Sequence, residues 1–367
     1  MAAKKKNNRR EFLKGRAAID ALADVRGSAS WRAGDGLIPG SARDSRDRLL
    51  VQVGQRAMAC EFQVLLNAGQ HAGAVDAAME ALNLVATLEE QLSVYRPHSD
   101  IAQINLLAAH DARPVEPWLF DLLQQCARWS EATGGAFDIT TGPLSKLWGF
   151  FTRQGRFPGE EQVGNVLADT GMRHVELDAD ARTIRFLRPG VALNLGGVGK
   201  GYALDRCAAV MSAAGVGDFM IHGGHSSILA RGSRRANGAE RDWSVALRHP
   251  LRPDRRLAEI RLRDQALGTS GSGQQFFYHR GRRYGHVFDP RTGAPAEGVL
   301  SATVLAPDAA EADALATAFF VMGVEAVRDY CSSRSHLSAV LVLPGAREGT
   351  VALEWFGAED NFVIFDS

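Results

Sequence analysis

Residues 193–205 read LNLGGVGKGYALD, and this stretch joins two different kinds of structure. Alternating apolar residues up to Leu195 predict a strand, and the residues from Tyr202 onward follow a helical apolar pattern. The glycines between them predict a tight turn, and a helix that begins behind such a turn presents free backbone N–H groups to an anion. The stretch therefore predicts a strand–turn–helix unit. An ordinary turn explains it as well as an anion site does.

The spacing of the glycines excludes two common phosphate-binding motifs. A nucleotide P-loop needs a glycine five residues before the glycine of its Gly-Lys pair, and a Ser or Thr after that pair. Asn194 and Gly201 occupy those two positions. The dinucleotide fingerprint also fails, because Gly197, Gly199 and Gly201 stand at every second residue. A phosphate held by this turn would need another type of site.

Composition and charge describe a globular chain with no overall attraction to nucleic acid. The 367 residues are 46% hydrophobic and 8% aromatic, and 42 Lys and Arg balance 42 Asp and Glu. The length allows one large domain or two ordinary ones. No run of about 18 apolar residues occurs, so we expect no transmembrane segment. The four cysteines are far apart, which indicates neither a zinc ribbon nor a redox dithiol.

The first residues differ from the rest in charge. Residues 1–16 carry seven Lys and Arg against one Glu, and NNRREFLKG (residues 7–15) looks like a twin-arginine export signal. Charged residues interrupt the apolar segment that such a signal needs next. We therefore predict a basic extension and linker over residues 1–46 and one folded domain over residues 47–367. A cytoplasmic protein with a degenerate signal is favoured, and a periplasmic protein is the alternative.

The order of expected helices and strands indicates an α+β fold. Helical spacing of apolar residues predicts helices over Ala72–Tyr95, Trp118–Thr133 and Ala309–Met322. Strands are expected at residues 49–54, 58–66, 337–343, 350–355 and 361–365, with short strands and turns over 174–195, 218–231 and 242–305. Several strands follow one another in mid-chain, which favours α+β over a doubly wound fold.

Two oxygen-bearing side chains stand four residues apart in the segment EADALATAFF. On a helix, Asp313 and Thr317 lie on one face. A carboxylate and a hydroxyl are hard ligands of the kind that magnesium binds. The same spacing occurs in many helices by chance, so the pair alone does not indicate a metal.

Further segments carry groups suited to a phosphate or to proton transfer. In GHVFDPRTGAP, His286 precedes an Asp-Pro and Thr-Gly turn, and it could be a base near neutral pH or a structural histidine. In TSGSGQQFF, the Ser270 hydroxyl and the glycine amides could hold phosphate oxygens or form a flexible turn. GGAFDITTGPLSKLWGF is a loop of the kind that lines ligand sites. The HGGH segment supplies only two histidines, and its glycines indicate a tight turn instead of a metal site.

Taken in order along the chain, seven segments resemble the FAD:protein FMN transferase family, also called ApbE. They are YRPHSDIAQIN, GGAFDITTGPLSKLWGF, LNLGGVGKGYALD, GGHSSILARG, TSGSGQQFF, HVFDPRTGAP and ADALATAFFVMG. The resemblance implies a single large α+β domain, related to the T-fold, with mixed or antiparallel sheets, packed helices and a deep flavin cleft. It also implies magnesium-dependent (Mg2+) transfer of FMN from FAD to a Thr or Ser hydroxyl of an acceptor flavoprotein, with release of AMP.

The same resemblance implies roles for individual residues. Lys200 would lie near the FAD phosphates, and His286 would take the proton of the attacking hydroxyl. The backbone carbonyl of Gly199 would bind magnesium beside Asp313 and Thr317. The residues implied to contact FAD are Met58, Tyr95 and Phe137 toward the isoalloxazine ring, Asp205 toward the adenosine half, and Asp138, Lys200, Ser270, His286, Asp289 and Thr292.

Five positions depart from the usual residues of this family. Asn194 stands in place of Asp, Gly199 in place of Ala, and His225 in place of the Asp of a Gly-Gly-Asp motif. Ala59 and Cys60 replace a Gly-Thr pair in the first hairpin. The changes remove two carboxylates and a hydroxyl near the expected diphosphate, which could weaken metal binding.

Three functional hypotheses are compatible with these residues. One is flavin transfer to a protein, and the second is a FAD pyrophosphatase that uses water as the nucleophile and yields FMN and AMP. These two differ only in what attacks the phosphorus, which the sequence does not show. The third is a non-catalytic FAD-binding protein. His286, Asp313 and Thr317 are all in place, which favours an enzyme.

Overall fold

An eight-stranded antiparallel sheet lies at the centre of the fold. The computed structural model describes residues 38–39, 50–236, 239–273, 275–347, 349–357 and 362–364. These residues all belong to one unit, residues 35–367. The twin-arginine-like start and most of the linker lie outside the described residues, and the domain boundary after residue 46 stays a prediction.

The strands and helices are numbered in chain order. The strands are β1 Ile38–Pro39, β2 Leu50–Ala57, β3 Cys60–Asn67, β4 Arg113–Pro114, β5 Val175–Asp178, β6 Thr183–Phe186, β7 Phe219–Gly223, β8 Ser227–Arg231, β9 Arg234–Ala236, β10 Ala239–Arg241, β11 Trp243–His249, β12 Arg252–Leu262, β13 Gln265–Gly271, β14 Phe276–His279, β15 Arg282–Gly285, β16 Ser301–Ala306, β17 Ser338–Pro344, β18 Val351–Phe356 and β19 Phe362–Ile364. The helices are α1 Ala74–Leu92, α2 Asp100–Leu107, α3 Pro117–Ala132, α4 Gly142–Leu147, α5 Glu160–Leu167, α6 Gly199–Ala213, α7 Ala309–Met322 and α8 Val324–Ser332, with a 3-10 turn at Met172–His174.

The central sheet has the strand order β18-β17-β16-β13-β8-β7-β3-β2. A second sheet has the order β1-β11-β12-β19, and a small one has the order β4-β6-β5. All the strand pairs within these sheets are antiparallel. The predicted α+β class is confirmed, because helices and antiparallel sheets share one unit.

Both faces of the central sheet are buried. In β3, Phe62 and Val64 pack with the helices, whereas Leu65 packs with β11 and β12 of the second sheet. In β16, Val304 and Leu305 divide in the same way. Successive side chains of a strand point to opposite faces. Covering both faces therefore explains why these strands are apolar at consecutive positions, without a polar alternation.

Helices α6 and α7 cap each other. The residues before them, Val198 and Asp308, form no side-chain cap to the helix that follows. Instead, the carboxylate of Asp205 on α6 accepts from the N–H groups of Ala309 and Ala310, both at 2.8 Å. Asp313 on α7 accepts from the N–H group of Gly201, also at 2.8 Å. Each carboxylate also lies at the positive end of the other helix's dipole, so the two helix starts are locked side by side.

Glycines let α6 and β13 touch the backbone of α7. A Cβ atom at Gly201 would lie 2.1 Å from the carbonyl oxygen of Ala309, and one at Gly268 would lie 2.4 Å from the carbonyl group of Ala312. No side chain fits at either position without moving a backbone. This close approach brings the first turn of α6 and the end of β13 to the face of α7 that carries Asp313.

Two of the expected strand segments are wrong: residues 58–59, at the start of the strand expected over 58–66, and residues 191–195, before the glycine turn. Met58 and Ala59 form a two-residue turn with φ of 48° and 59°, and β3 begins only at Cys60. Residues 191–195 belong to no strand. The side chain of Asn105 binds both the N–H and the carbonyl of Leu193, at 2.7 and 2.9 Å, in place of a strand partner. The helix predicted after the turn is confirmed as α6.

The described part of the chain contains no helix that is both long and apolar enough to cross a bilayer.

We expect Gly201→Ala to lower the free energy of unfolding by about 1–3 kcal/mol, because its methyl group would enter the backbone of α7. Gly199→Ala, two residues earlier on α6, is the matched control, since nothing lies within 4 Å of the position that its methyl group would take. That change should leave the free energy unchanged or raise it by up to about 1 kcal/mol. Urea denaturation measures both, and equal losses would contradict the close-approach argument.

Candidate active site

A cavity of about 510 Å³ lies at one end of the central strands. The β2–β3 turn, the β7–β8 turn, the end of β13 and the start of β16 all border it, together with Lys200 on α6. The predicted site residues that line the cavity are Met58, Tyr95, Phe137, Asp138, Lys200, Ser270, His286, Asp313 and Thr317. The structure thus brings together side chains that are distant in the sequence.

Asp313 is the buried carboxylate of this cavity. Its Oδ1 accepts from the Ser227 hydroxyl at 2.8 Å, and its Oδ2 accepts from Ser227 at 2.9 Å and from the Gly201 N–H at 2.8 Å. Burial raises the pKa of Asp313 to about 6, against the positive charge of Lys200 and these hydrogen bonds, which lower it. A cation beside this carboxylate would favour its ionised form and so oppose the rise.

Thr317 lies one turn further along the same face of α7. Its hydroxyl is 3.0 Å from the Ser270 hydroxyl on β13 and donates to the carbonyl of Asp313 at 3.2 Å. In the described part of the chain, no three His, Cys, Asp or Glu side chains form a metal-binding cluster. The oxygen donors that line the cavity include the carboxylates of Asp138 and Asp313 and several hydroxyls, and such hard oxygen ligands are the kind that magnesium prefers.

Lys200 brings a positive charge to the cavity. It stands on the first turn of α6, and its Nζ donates to the hydroxyl of Ser226 in the β7–β8 turn. Its charge lowers the pKa of both Asp313 and His286, so it is close enough to influence both groups. A lysine at the N-terminal turn of a helix adds to the positive end of the dipole, and both attract an anionic group.

His286 is held as a neutral imidazole. Its pKa is lowered, first by burial and then by the charge of Lys200, while a hydrogen bond to the carbonyl of Gln275 raises it. That bond joins Nδ1 to the carbonyl oxygen at 3.3 Å, so Nδ1 carries the proton. Nε2 is then the unprotonated nitrogen, and it can accept a proton at neutral pH.

Aromatic rings surround another part of the cavity. Tyr95 stacks on Phe151 with ring centroids 4.6 Å apart, and buried Phe137 packs edge-on against Trp129 at 6.2 Å. Met58 projects from the strained β2–β3 turn. These flat and apolar groups are held in place by their neighbours, and they suit a planar ring system.

Four predicted site residues do not line the cavity: Gly199, Asp205, Asp289 and Thr292. Burial raises the pKa of Asp205 to about 7 even though its carboxylate accepts from the two N–H groups of α7. Both oxygens of Asp289 bind the side chain of Arg291, at 2.8 and 2.9 Å. These two carboxylates accept hydrogen bonds from protein groups near the cavity. A direct contact of either one with a ligand stays a prediction.

The carboxylate of Asp138 borders the cavity, but both of its oxygens already accept hydrogen bonds from the protein. Its Oδ1 accepts from the N–H and the hydroxyl of Thr140, at 2.8 and 2.7 Å, and its Oδ2 accepts from the N–H of Met172 at 2.9 Å. These bonds fix the loop that presents Phe137. A contact of Asp138 with a ligand likewise stays a prediction.

Sequence reasoning missed Ser226 and Ser227. Ser227 holds the Asp313 carboxylate from 86 residues away, and Ser226 holds Lys200. The only sequence signal was their place directly after the HGGH turn. Neither spacing nor periodicity could connect them to their partners, because the contacts depend on the order of strands in the sheet.

Comparison with known proteins shows which family this chain resembles. A family model described as the ApbE family matches residues 58–341, most of the chain. The chain belongs to the ApbE family. It is 32% identical to the FAD:protein FMN transferase of Escherichia coli strain K12 over 252 residues, which cover 66% of this chain and 69% of the relative. It is 31% identical to the FAD:protein FMN transferase of Salmonella typhimurium over 283 residues, which cover 75% and 78%.

Two solved ApbE structures share the architecture. The flavin transferase ApbE from Vibrio cholerae superposes with a TM-score of 0.74 at 25% identity, covering 86% of this chain and 99% of that one. The ApbE protein from Thermotoga maritima superposes with a TM-score of 0.73 at 28% identity, covering 83% and 96%. The expected single large ApbE domain is confirmed.

The departures from the usual ApbE residues keep the local geometry. Asn194 lines the cavity, and its Oδ1 accepts from the N–H of Gly196 at 2.9 Å, a bond that an Asp would also make. His225 lies in the β7–β8 turn with φ of 62°, which confirms the tight turn, and burial lowers the pKa of His225. Its ring lies 4.4 Å from the buried ring of His222. Both departures therefore remove negative charge without removing a turn.

Ala59, one of the positions that depart from the family resemblance, occupies a left-handed conformation with φ of 59°. This conformation costs an L-residue about 1–2 kcal/mol, and a glycine at position 59 would avoid that cost. Glycine also loses more conformational entropy on folding than alanine does, which offsets about half of this gain. We expect Ala59→Gly to raise the free energy of unfolding by about 0.5–1 kcal/mol. Ala57→Gly, in the adjoining strand, should lower it by a similar amount. Thermal or urea unfolding tests the pair, and a loss in both variants would exclude relief of turn strain.

Proposed function

We propose that this protein transfers FMN from FAD to a Thr or Ser hydroxyl of an acceptor flavoprotein, releases AMP, and requires magnesium. The observation that carries the proposal is the convergence of His286, with a free Nε2, and the oxygen donors Asp313 and Thr317 on one cavity. Membership of the ApbE family and the names of the relatives agree with flavin transfer.

The residues that line the cavity suit the two chemical parts of FAD. Met58, Tyr95 and Phe137 offer flat and apolar surfaces to the isoalloxazine ring. Lys200 and the start of α6 offer positive charge to the phosphates. A ligand that carries both a flat aromatic ring and a diphosphate matches this lining.

The reaction exchanges one P–O bond for another. The acceptor hydroxyl attacks the phosphorus of the FMN half, a new O–P bond forms, and the bond from that phosphorus to the bridging oxygen breaks. AMP leaves with the electron pair of the broken bond, and the proton of the hydroxyl passes to Nε2 of His286. Lys200 stabilises the phosphate oxygens electrostatically as charge moves toward the leaving group.

Asp313 and Thr317 are the residues that would hold magnesium, and the carbonyl of Gly199 is a further candidate. The buried carboxylate without a cationic partner other than Lys200 fits this assignment. When bound, magnesium offsets the negative charge on the diphosphate and its leaving oxygen. Ser227 and the Gly201 N–H keep the Asp313 carboxylate pointed into the cavity.

Magnesium dependence can be tested with matched variants of Thr317. AMP release from FAD by the full chain, with and without an added acceptor protein, should require magnesium and stop in EDTA. Thr317→Val removes the hydroxyl but keeps the shape, so the magnesium concentration for half-maximal release should rise at least about tenfold, the loss seen even for groups that only orient a ligand. Thr317→Ser keeps the hydroxyl and should stay close to the wild type.

Asp313→Ala should abolish release, although it also removes a cap of α6. Equal release in magnesium and EDTA by the wild type would contradict a metal-dependent reaction. Release that needs only water would identify a FAD pyrophosphatase, whereas FMN found covalently on the acceptor identifies the transferase.

The pH profile tests His286. A general base must be neutral, and the pKa of His286 is lowered from its ordinary 6.5. The transfer rate should therefore hold from neutral pH down to below pH 6.5 and fall only as the pH drops through the lowered pKa. His286→Ala should lose about 10²–10⁴-fold in rate while FAD binding, followed by flavin fluorescence, is kept. Added imidazole should restore part of the rate. An unchanged acidic limb in His286→Ala would assign that limb to another group.

A further inference from the structure

Two segments that pack together lie next to the cavity, the first through Phe150 and Arg153 and the second through its flanking residues Gln275 and His286. They are the loop 148–157 after α4 and the hairpin β14–β15, residues 276–285, and we call them the rim. The ring of Phe157 stacks on His279 with centroids 4.5 Å apart, and Phe150 contacts Phe277 at 5.6 Å. Phe150 and Arg153 line the cavity from the loop. The rim is therefore one surface that continues into the site.

Exposed aromatic side chains are concentrated on this surface. Among the described residues, the large hydrophobic side chains that are exposed include four aromatic ones, and all four belong to the rim or touch it. Phe157 is 45% exposed, Phe276 41% and Tyr278 66%. Tyr95, 64% exposed, stacks on Phe151 of the loop. Phe276 and Tyr278 pack on each other on the face of the hairpin opposite to Phe277 and His279, which contact the loop, so exposed rings lie on both sides of the hairpin. Exposed aromatic groups of this kind are typical of a surface that another molecule covers.

The rim is also basic. The two segments contain five arginines and no Asp or Glu, in a chain whose charges balance. Arg282 pairs with Glu297 outside the rim, and Arg283 lies over the ring of Phe276 at 4.0 Å. Arg153 and the hairpin-tip Arg280 are exposed, and neither forms an ion pair within the described part of the chain. Two or more guanidinium groups are thus available to carboxylates from outside.

We propose that the rim is the docking surface for the acceptor protein, and that the acceptor presents Asp and Glu side chains around its target hydroxyl. This inference rests on the proposed function. His286 directly follows the last residue of β15, so a protein whose hydroxyl reaches His286 comes close to the hairpin. Tyrosine, phenylalanine and arginine are the residues enriched in protein interfaces, and the arginines favour an acidic partner.

The test uses two fluorescein-labelled synthetic peptides of equal length, each with one Thr. In one, the Thr is flanked by Asp residues, and in the other by Lys residues. Fluorescence anisotropy with the FAD-loaded full chain should show tighter binding of the Asp peptide, weakening as salt is added. Arg280→Glu with Arg282→Glu should weaken that binding about tenfold or more. Arg261→Glu, an exposed arginine of β12 away from the rim, is the control and should change binding less than twofold.

Separate arms distinguish the outcomes. FAD binding and AMP release without peptide report on the proposed function, and the double variant should leave both unchanged. If AMP release fails but the charge preference and its loss in the double variant persist, docking stands and the proposed chemistry does not. No preference between the peptides, or equal loss in the control, overturns the docking proposal. Binding to anionic phosphatidylserine vesicles in place of the peptide, or self-association lost in the double variant, overturns it in favour of a membrane or of a second copy.

Discussion

The exchange of capping carboxylates between α6 and α7 is the interaction on which the site depends. Asp205 holds the start of α7, and Asp313 holds the start of α6, so neither helix can move along its axis without breaking a buried hydrogen bond. Leaving a buried N–H or carboxylate unpaired costs about 1–3 kcal/mol. Because Asp313 is at once a cap and the acidic group of the cavity, the same contact that orders the helices aims the carboxylate.

Close packing then fixes the other groups relative to Asp313. Gly201 and Gly268 allow backbone contact with α7, which sets the distance between helix and sheet without an intervening side chain. The hydroxyls of Thr317 and Ser270 consequently meet at 3.0 Å across that contact. A cavity whose polar donors come from two helices and a strand needs this rigidity, because catalytic groups must be held to within a fraction of an ångström.

Sequence patterns predicted the features that depend on residues close together in the chain, such as the ends of a helix. Helix Ala309–Met322 was predicted to its exact residues, since its apolar content and the following Gly323 set both ends. The extended stretch before Gly196 was predicted as a strand, but its partners are the side chain of Asn105 and the backbone carbonyl of Ile139, which no periodicity reveals. Likewise, the hydroxyl of Ser227 reaches Asp313 only because β8 and β13 are neighbours in the sheet. Contacts that depend on the order of strands in a sheet cannot be predicted from the patterns of a single sequence. The ordered motifs of a family indicate them only indirectly, because the motifs imply a known fold.

Motifs do not separate residues that touch a ligand from residues that shape its cavity. Asp138, Asp205 and Asp313 all stand in recognised motifs, and all three accept backbone N–H groups. Asp205 is turned away from the cavity and serves a helix end, whereas Asp313 lines the cavity and sits beside Lys200. Asp205 and Asp313 differ in the direction that each carboxylate faces. The structure shows this direction, whereas the type of residue does not. On this argument, the neutral residues Asn194 and His225 change the charge of the cavity while their backbones still make the turns that border it.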